Sequence, residues 1–296
     1  MFKPLLYATI AMLSANAYAQ CQQKITQFYQ QPANKHQSYD MFGNNPFPLS
    51  QTYVVKVTNT GTEQCQSTLI IKPQSNALTN AVNQQLRFEI NNLGTPSRRF
   101  ENGLALSVPR LEPGQNKEMQ FSLKFPKGQY VRSGRFSQHF DIYLTQAKNI
   151  GQQLDERREH LTANVEQSAR ISLWGIGGAN RYTVDFGTMT SNKELILQPK
   201  LLVQSSTDYK LEISSDNRGK MRHAGGNPEW DVNYDFFLDN QRINLNSTTF
   251  ELLERQPENA VGHRYSMRFK LGDVSRRPAG NYNDSIKINI TPSLAP

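Results

Sequence analysis

The side chains best equipped for chemistry are few and scattered. There are two cysteines, Cys21 and Cys65, five histidines, His36, His139, His160, His223 and His263, and a run of carboxylates at Asp231, Asp235 and Asp239. No histidine stands at ligand spacing from another along the chain, and Gly-x-Ser-x-Gly is absent, so neither a zinc site nor a nucleophile elbow is expected. His139 reads as a surface or edge residue beside a strand face. Trp174-Gly175-Ile176-Gly177-Gly178 has the glycines of a phosphate cradle but strands around it and no following helix, so it reads as a turn. The three aspartates would share a helix face, yet Val232, Tyr234, Phe236 and Leu238 between them alternate as a strand. That turns the carboxylates mostly outward and makes no calcium loop. The expectation is no enzyme, no metal and no cofactor, set against the fact that a glycosidase needs only two carboxylates placed by its fold.

The two thiols have a simpler reading. Residues 1–19 look like a secretory signal: Lys3, an apolar stretch over residues 5–13, then the small-x-small pattern Ala17-Tyr18-Ala19. The stretch is too short for a bilayer span, and Tyr18 and Gln20 fit poorly where a lipobox before Cys21 wants small or aliphatic residues. In an oxidising compartment an even pair is most simply a disulfide, and the 44 positions between Cys21 and Cys65 make it worth about 4 kcal/mol on the chain-entropy model. Residues 20–167 carry 16 Lys+Arg against 11 Asp+Glu, and residues 168–296 carry 16 against 14. The mild basic bias of the first half suits anionic surfaces, although ordinary solubilising charge accounts for it more simply. Its dispersal argues against nucleic acid as a partner.

The elements that must hold these residues are written in period two. Leu86, Phe88 and Ile90; Tyr209, Leu211 and Ile213; Ile286, Ile288 and Ile290 each alternate with polar neighbours, as strands with one wet face do. Pro113-Gly114, residues 225–228 and residues 278–280 punctuate them. Many short strands with turn signals between them imply a sandwich or barrel. Residues 150–160 lack an apolar face and read as a polar linker or a short solvated helix. An internal repeat organises the whole: residues 119–144 align without a gap on 265–290, at an offset of 146. Met119, Phe121, Leu123 and Phe125 fall on Tyr265, Met267, Phe269 and Leu271. Ser133-Gly134-Arg135-Phe136 falls on Ala279-Gly280-Asn281-Tyr282, and Phe140, Ile142 and Leu144 fall on Ile286, Ile288 and Ile290. The expected fold is therefore all-β, two tandem antiparallel sandwiches. Residues 20–146 form the first and 168–296 the second, with 147–167 as linker or closing strand.

Val184-Asp185-Phe186-Gly187-Thr188, residues 208–221, residues 232–238 and the closing Ala279-Gly280-Asn281-Tyr282-Asn283-Asp284 together resemble the spore-coat-protein-U-like domain. That domain builds archaic chaperone–usher pili. The likeness covers nearly all of 168–296 and thins to 119–144 in the first half. A departure is that the second half has no cysteine, where the family pattern has a disulfide in each domain. The resemblance implies immunoglobulin-like sandwiches, the second lacking its final strand. A periplasmic chaperone and then a neighbouring pilin subunit would supply that strand beside Ile286, Ile288 and Ile290, under an outer-membrane usher. It further implies a two-domain tip adhesin exported through the periplasm to the cell surface, its first domain attaching to a host or abiotic surface.

Two features of the sequence bear on that reading. Leu161, Ala163 and Val165 can add a closing strand to the first copy, whereas only residues 292–296, with two prolines, follow the second. Candidate binding residues are Phe42 and Phe47 in one loop and Arg98, Arg99 and Phe100 in another, since loops carry recognition. Anchoring of those aromatics onto the core is an equally good account. The rival function is a secreted or periplasmic carbohydrate-binding sandwich.

Overall fold

The computed structural model describes residues 21–32, 38–43, 47–100, 103–146, 152–177, 179–247, 249–257, 259 and 261–293. The expected signal segment, Asn44 to Pro46 of one candidate loop, and Gly178 lie outside them. The fold is all-β, as the alternation requires, with a single 3-10 turn at Pro228–Trp230 among the described residues.

The first domain runs through β1 (Gln23–Gln30), β2 (Ser38–Tyr39), β3 (Ser50–Asn59), β4 (Cys65–Pro73), β5 (Ala77–Thr79), β6 (Gln85–Arg87), β7 (Glu89–Asn92), β8 (Ser97–Phe100), β9 (Gly103–Leu111), β10 (Asn116–Lys124), β11 (Gly134–Gln146) and β12 (Gln153–Val165). One sheet has the order β1-β3-β10-β7 and the other β2-β12-β11-β4-β9-β8. Only the short β2–β12 contact in these two sheets is parallel. Met119, Phe121 and Leu123 of β10 meet Phe136, Phe140, Ile142 and Leu144 of β11 in one core, each sealed from solvent.

Residues 153–160 are strand, where the sequence suggested linker or helix. β12 pairs with β11 from Gly134↔Val165 to Thr145↔Gln153. Period two is present, but the inward positions nearest the chain reversal are Asp155, Arg157 and Glu159, which hid it. Each is satisfied: Asp155 Oδ2 accepts from the Ile25 backbone N–H at 2.7 Å, and Arg157 bonds Glu159. Inward charge of this kind protects a sheet margin. Further along, Leu161, Ala163 and Val165 enter the core.

The second domain runs through β13 (Ala169–Trp174), β14 (Glu194–Ile196), β15 (Lys200–Ser205), β16 (Tyr209–Ser215), β17 (Lys220–His223), β18 (Val232–Leu238), β19 (Gln241–Ile243), β20 (Phe250–Glu254), β21 (His263–Tyr265), β22 (Met267–Leu271), β23 (Tyr282–Asn283) and β24 (Ile286–Pro292). β21 pairs with β15 and β22 with β18 and β14. The interruption at Ser266 is held by Asp239, whose carboxylate accepts the Ser266 N–H at 2.8 Å.

At the junction the Ser133 N–H donates to Ser206 O at 2.6 Å. Tyr130 OH lies between Ser205 O and Pro257 O, at 3.0 and 2.8 Å. Arg132 pairs with Asp208 at 3.2 Å.

The opposite end of the first domain is tied by Cys21–Cys65, with a Cα–Cα distance of 5.3 Å. Two fully buried amides support it. Asn59 Nδ2 donates to Glu63 O and Leu111 O at 2.8 and 2.9 Å, and Gln23 Nε2 donates to Cys65 O at 2.8 Å. Reducing the disulfide should lower the unfolding free energy by up to about 4 kcal/mol, read as a shift of the urea midpoint. An unchanged midpoint, or two free thiols by non-reducing mass spectrometry, contradicts this.

Candidate functional site

The two copies of the repeat differ at the outer edge of their last strand. In the first domain β11 is flanked on both sides, by β4 and by β12. In the second, the corresponding sheet is β20-β16-β24, and β24 pairs with β16 alone, from Tyr209↔Pro292 to Ser215↔Ile286. β20 stands to β16 as β9 stands to β4. The position filled by β12 in the first domain is thus unfilled among the described residues of the second. β13 passes near β24 without forming a ladder with it.

Side-chain burial records the same difference. Phe140, Ile142 and Leu144 are fully buried, whereas Ile286, Ile288 and Ile290 pack on the core yet stay partly exposed. An edge strand with a half-covered apolar row offers main-chain hydrogen bonds for affinity and side-chain pockets for register.

The chain before β24 is held firmly. Asp284 Oδ2 accepts from Ser215 Oγ at 2.5 Å and Tyr234 OH at 2.6 Å, while Oδ1 accepts the Asn217 and Ser285 N–H groups at 2.9 and 2.8 Å. One carboxylate therefore binds the corner to β16, β18 and the turn after β16. Gly280 is required by close approach, because any Cβ there would strike the His223 imidazole. That ring stands edge-on to Trp230 and Tyr282, with centroids at 5.0 and 4.9 Å. The Ala-Gly-x-Tyr-x-Asp pattern is thus a structural lock on the strand that carries the open edge.

The candidate binding residues do not converge. Phe42 lies in the turn after β2, with the Arg170 guanidinium 4.5 Å above its ring, and so belongs to the junction with the second domain. Phe47 is 79% exposed. Arg98, Arg99 and Phe100 form the exposed β8, the far edge of the sheet that begins with β2. Phe100 covers Gly103, and Arg99 donates to Asn91 Oδ1 at 2.5 Å.

The carboxylate run is dispersed among separate partners. Asp235 pairs with Arg242 and Asp239 with His263. Asp231 is buried, not outward, because the 3-10 turn before β18 tucks it in. Gly175 and Gly177 occupy the turn after β13 with φ of +101° and +71°. His139 and His160, on the consecutive strands β11 and β12, are direct cross-strand partners, and the linear spacing of ligands could not reveal that.

No protein-family model matches the chain, and no curated protein sequence matches it. Similar solved structures exist at low identity. A chain in the pre-assembly complex of chaperone CsuC and tip adhesion subunit CsuE, from archaic chaperone–usher Csu pili of Acinetobacter baumannii, is 16% identical with a TM-score of 0.44, covering 86% of this chain and 98% of that one. CfaE, the adhesive subunit of CFA/I fimbria of enterotoxigenic Escherichia coli, is 14% identical with a TM-score of 0.40, covering 88% and 78%. The C-terminal domain of wzt is 15% identical with a TM-score of 0.30, covering 57% and 87%.

Buried phenols give the second core a distinctive pH response. Burial pushes Tyr209 up to about 12. It also raises Tyr234 and Tyr265, helped by Asp284 and Tyr209 respectively, and burial raises Tyr53 in the first core. The folded values exceed the ~10 of an unfolded chain. The stability these groups contribute is therefore present in full below about pH 10 and is lost as pH rises through the folded values. Urea midpoints should fall above pH 10, and less steeply in a Tyr209→Phe, Tyr265→Phe double variant. Midpoints that stay level to pH 12 contradict it.

Proposed function

We propose that this chain is a pilus subunit, a tip adhesin, assembled by strand donation into its second domain. The observation that carries the reading is the sheet order β20-β16-β24, set against β9-β4-β11-β12 in the other copy of the same repeat. An unpaired strand edge above a half-covered apolar row is an aggregation hazard unless another chain covers it. Strand addition is the physical remedy, and a fibre follows when each subunit donates to the next. The resemblance of residues 168–296 to the spore-coat-protein-U-like domain supports the same reading.

On this reading a periplasmic chaperone covers β24 first. A neighbouring subunit's extension replaces it at the outer-membrane usher, and the chain reaches the cell surface after cleavage of residues 1–19. The proposed division puts the first sandwich in residues 20–146, with 147–167 supplying its closing strand, and the second in residues 168–296. The first sandwich is closed from within and is free to meet a host or abiotic surface. Its role is adhesive, not enzymatic.

The full chain should unfold at a higher temperature when a donor peptide of alternating apolar residues is fused or added. Ile288→Asp, which puts charge into the middle of the row, should abolish that gain without affecting the first domain. A chain that is monomeric and cooperative alone, and that gains nothing from the donor, overturns the proposal.

A further inference from the structure

On the solvent face of the first domain, His139 of β11 and His160 of β12 stand directly opposite each other, and both are exposed. Their ring centroids are 4.9 Å apart with planes inclined at 48°. The two strands form the longest ladder among the described residues, so the backbones beneath the rings are fixed relative to each other. The rings themselves project into solvent and can rotate. From this juxtaposition we propose that His139 and His160 form a two-imidazole site for a divalent transition-metal ion, with Cu2+ preferred.

The geometry fits. Directly opposed residues hold their Cβ atoms about 4.5–5.5 Å apart. A metal–nitrogen bond is ~2.0 Å, so two coordinating nitrogens must come within roughly 4 Å of each other. Small rotations of rings already 4.9 Å apart reach that separation.

Imidazole suits Cu2+, Ni2+ and Zn2+, and among these Cu2+ binds a given nitrogen site most tightly. The nearby charges set the rest of the shell. Asp141, on the same face of β11, is held by Arg158 at 2.7 Å, and its other cross-strand neighbour is Lys72 of β4. The carboxylate is thus already engaged, and among the described residues no cluster of three or more metal-ligating side chains forms. Water completes the coordination, so the ion stays exchangeable and open to an outside ligand. Bound metal links β11 to β12, the strand pair that closes the first sandwich. The inference is independent of the pilus reading.

The full chain should be titrated with Cu2+ in a non-coordinating buffer and followed by calorimetry and electron paramagnetic resonance. The expected result is a bound ion whose spectrum carries hyperfine splitting from two imidazole nitrogens. His139→Ala and His160→Ala should each remove the two-nitrogen signal, as should the more conservative His139→Gln, with melting curves of the metal-free proteins unchanged. His263→Ala, at an exposed histidine of the second domain, should leave the signal intact. No binding by the parent chain, or the same two-nitrogen spectrum in both single variants, overturns the proposal.

Discussion

The ladder between β11 and β12 is the interaction on which the rest of the first domain depends. A central strand in a sandwich carries backbone donors and acceptors on both edges, and those facing the interior need partners. β4 satisfies one edge of β11 and β12 the other. β12 also brings Leu161, Ala163 and Val165 over the core and, through Asp155, ties the far margin to β1. One segment thereby completes the hydrogen bonding, the apolar cover and the closure of the two sheets against each other.

The second domain repeats this plan up to the same point. Its β24 occupies the place of β11, is locked by Asp284 to β16 and β18, and meets β16 over seven residue pairs. The lock and the open edge lie on one strand, and this has a mechanical consequence. Force applied to a strand added beside β24 passes through the β24–β16 ladder into the core. At the other end of β24, the Ser293 N–H donates to Asp208 O at 2.7 Å. The Asp208 side chain holds Arg132 of the first domain. A continuous chain of polar contacts therefore joins the open edge to the domain junction.

Much of this was legible in the sequence because period-two alternation reports directly on which residues face a core. Met119, Phe121, Leu123 and Phe125, and likewise Tyr209, Leu211 and Ile213, are buried as their spacing required. The repeat gave the correspondence of β10–β11 with β21–β24, and hence the row Ile286, Ile288 and Ile290. β12 was harder to read because charged residues hold its inward positions beside β1, which erases the apolar signal without changing the strand. The setting of Phe42 was hidden for a related reason: an aromatic in a loop can serve a junction, and Arg170, 128 residues away in sequence, covers it. The His139–His160 pair depends on the register of the consecutive strands β11 and β12, and the Asp284 cluster on contacts between strands far apart in the chain, neither of which local spacing encodes.

Amide hydrogen exchange on the full chain, resolved at β11 and β24, tests the central claim most directly. β11, paired on both edges, should be protected throughout. β24 should show slow exchange for amides directed at β16 and fast exchange for those directed away from it, and the fast set should become protected when a donor strand is supplied. Uniform protection of β24 in the isolated chain would contradict an open edge.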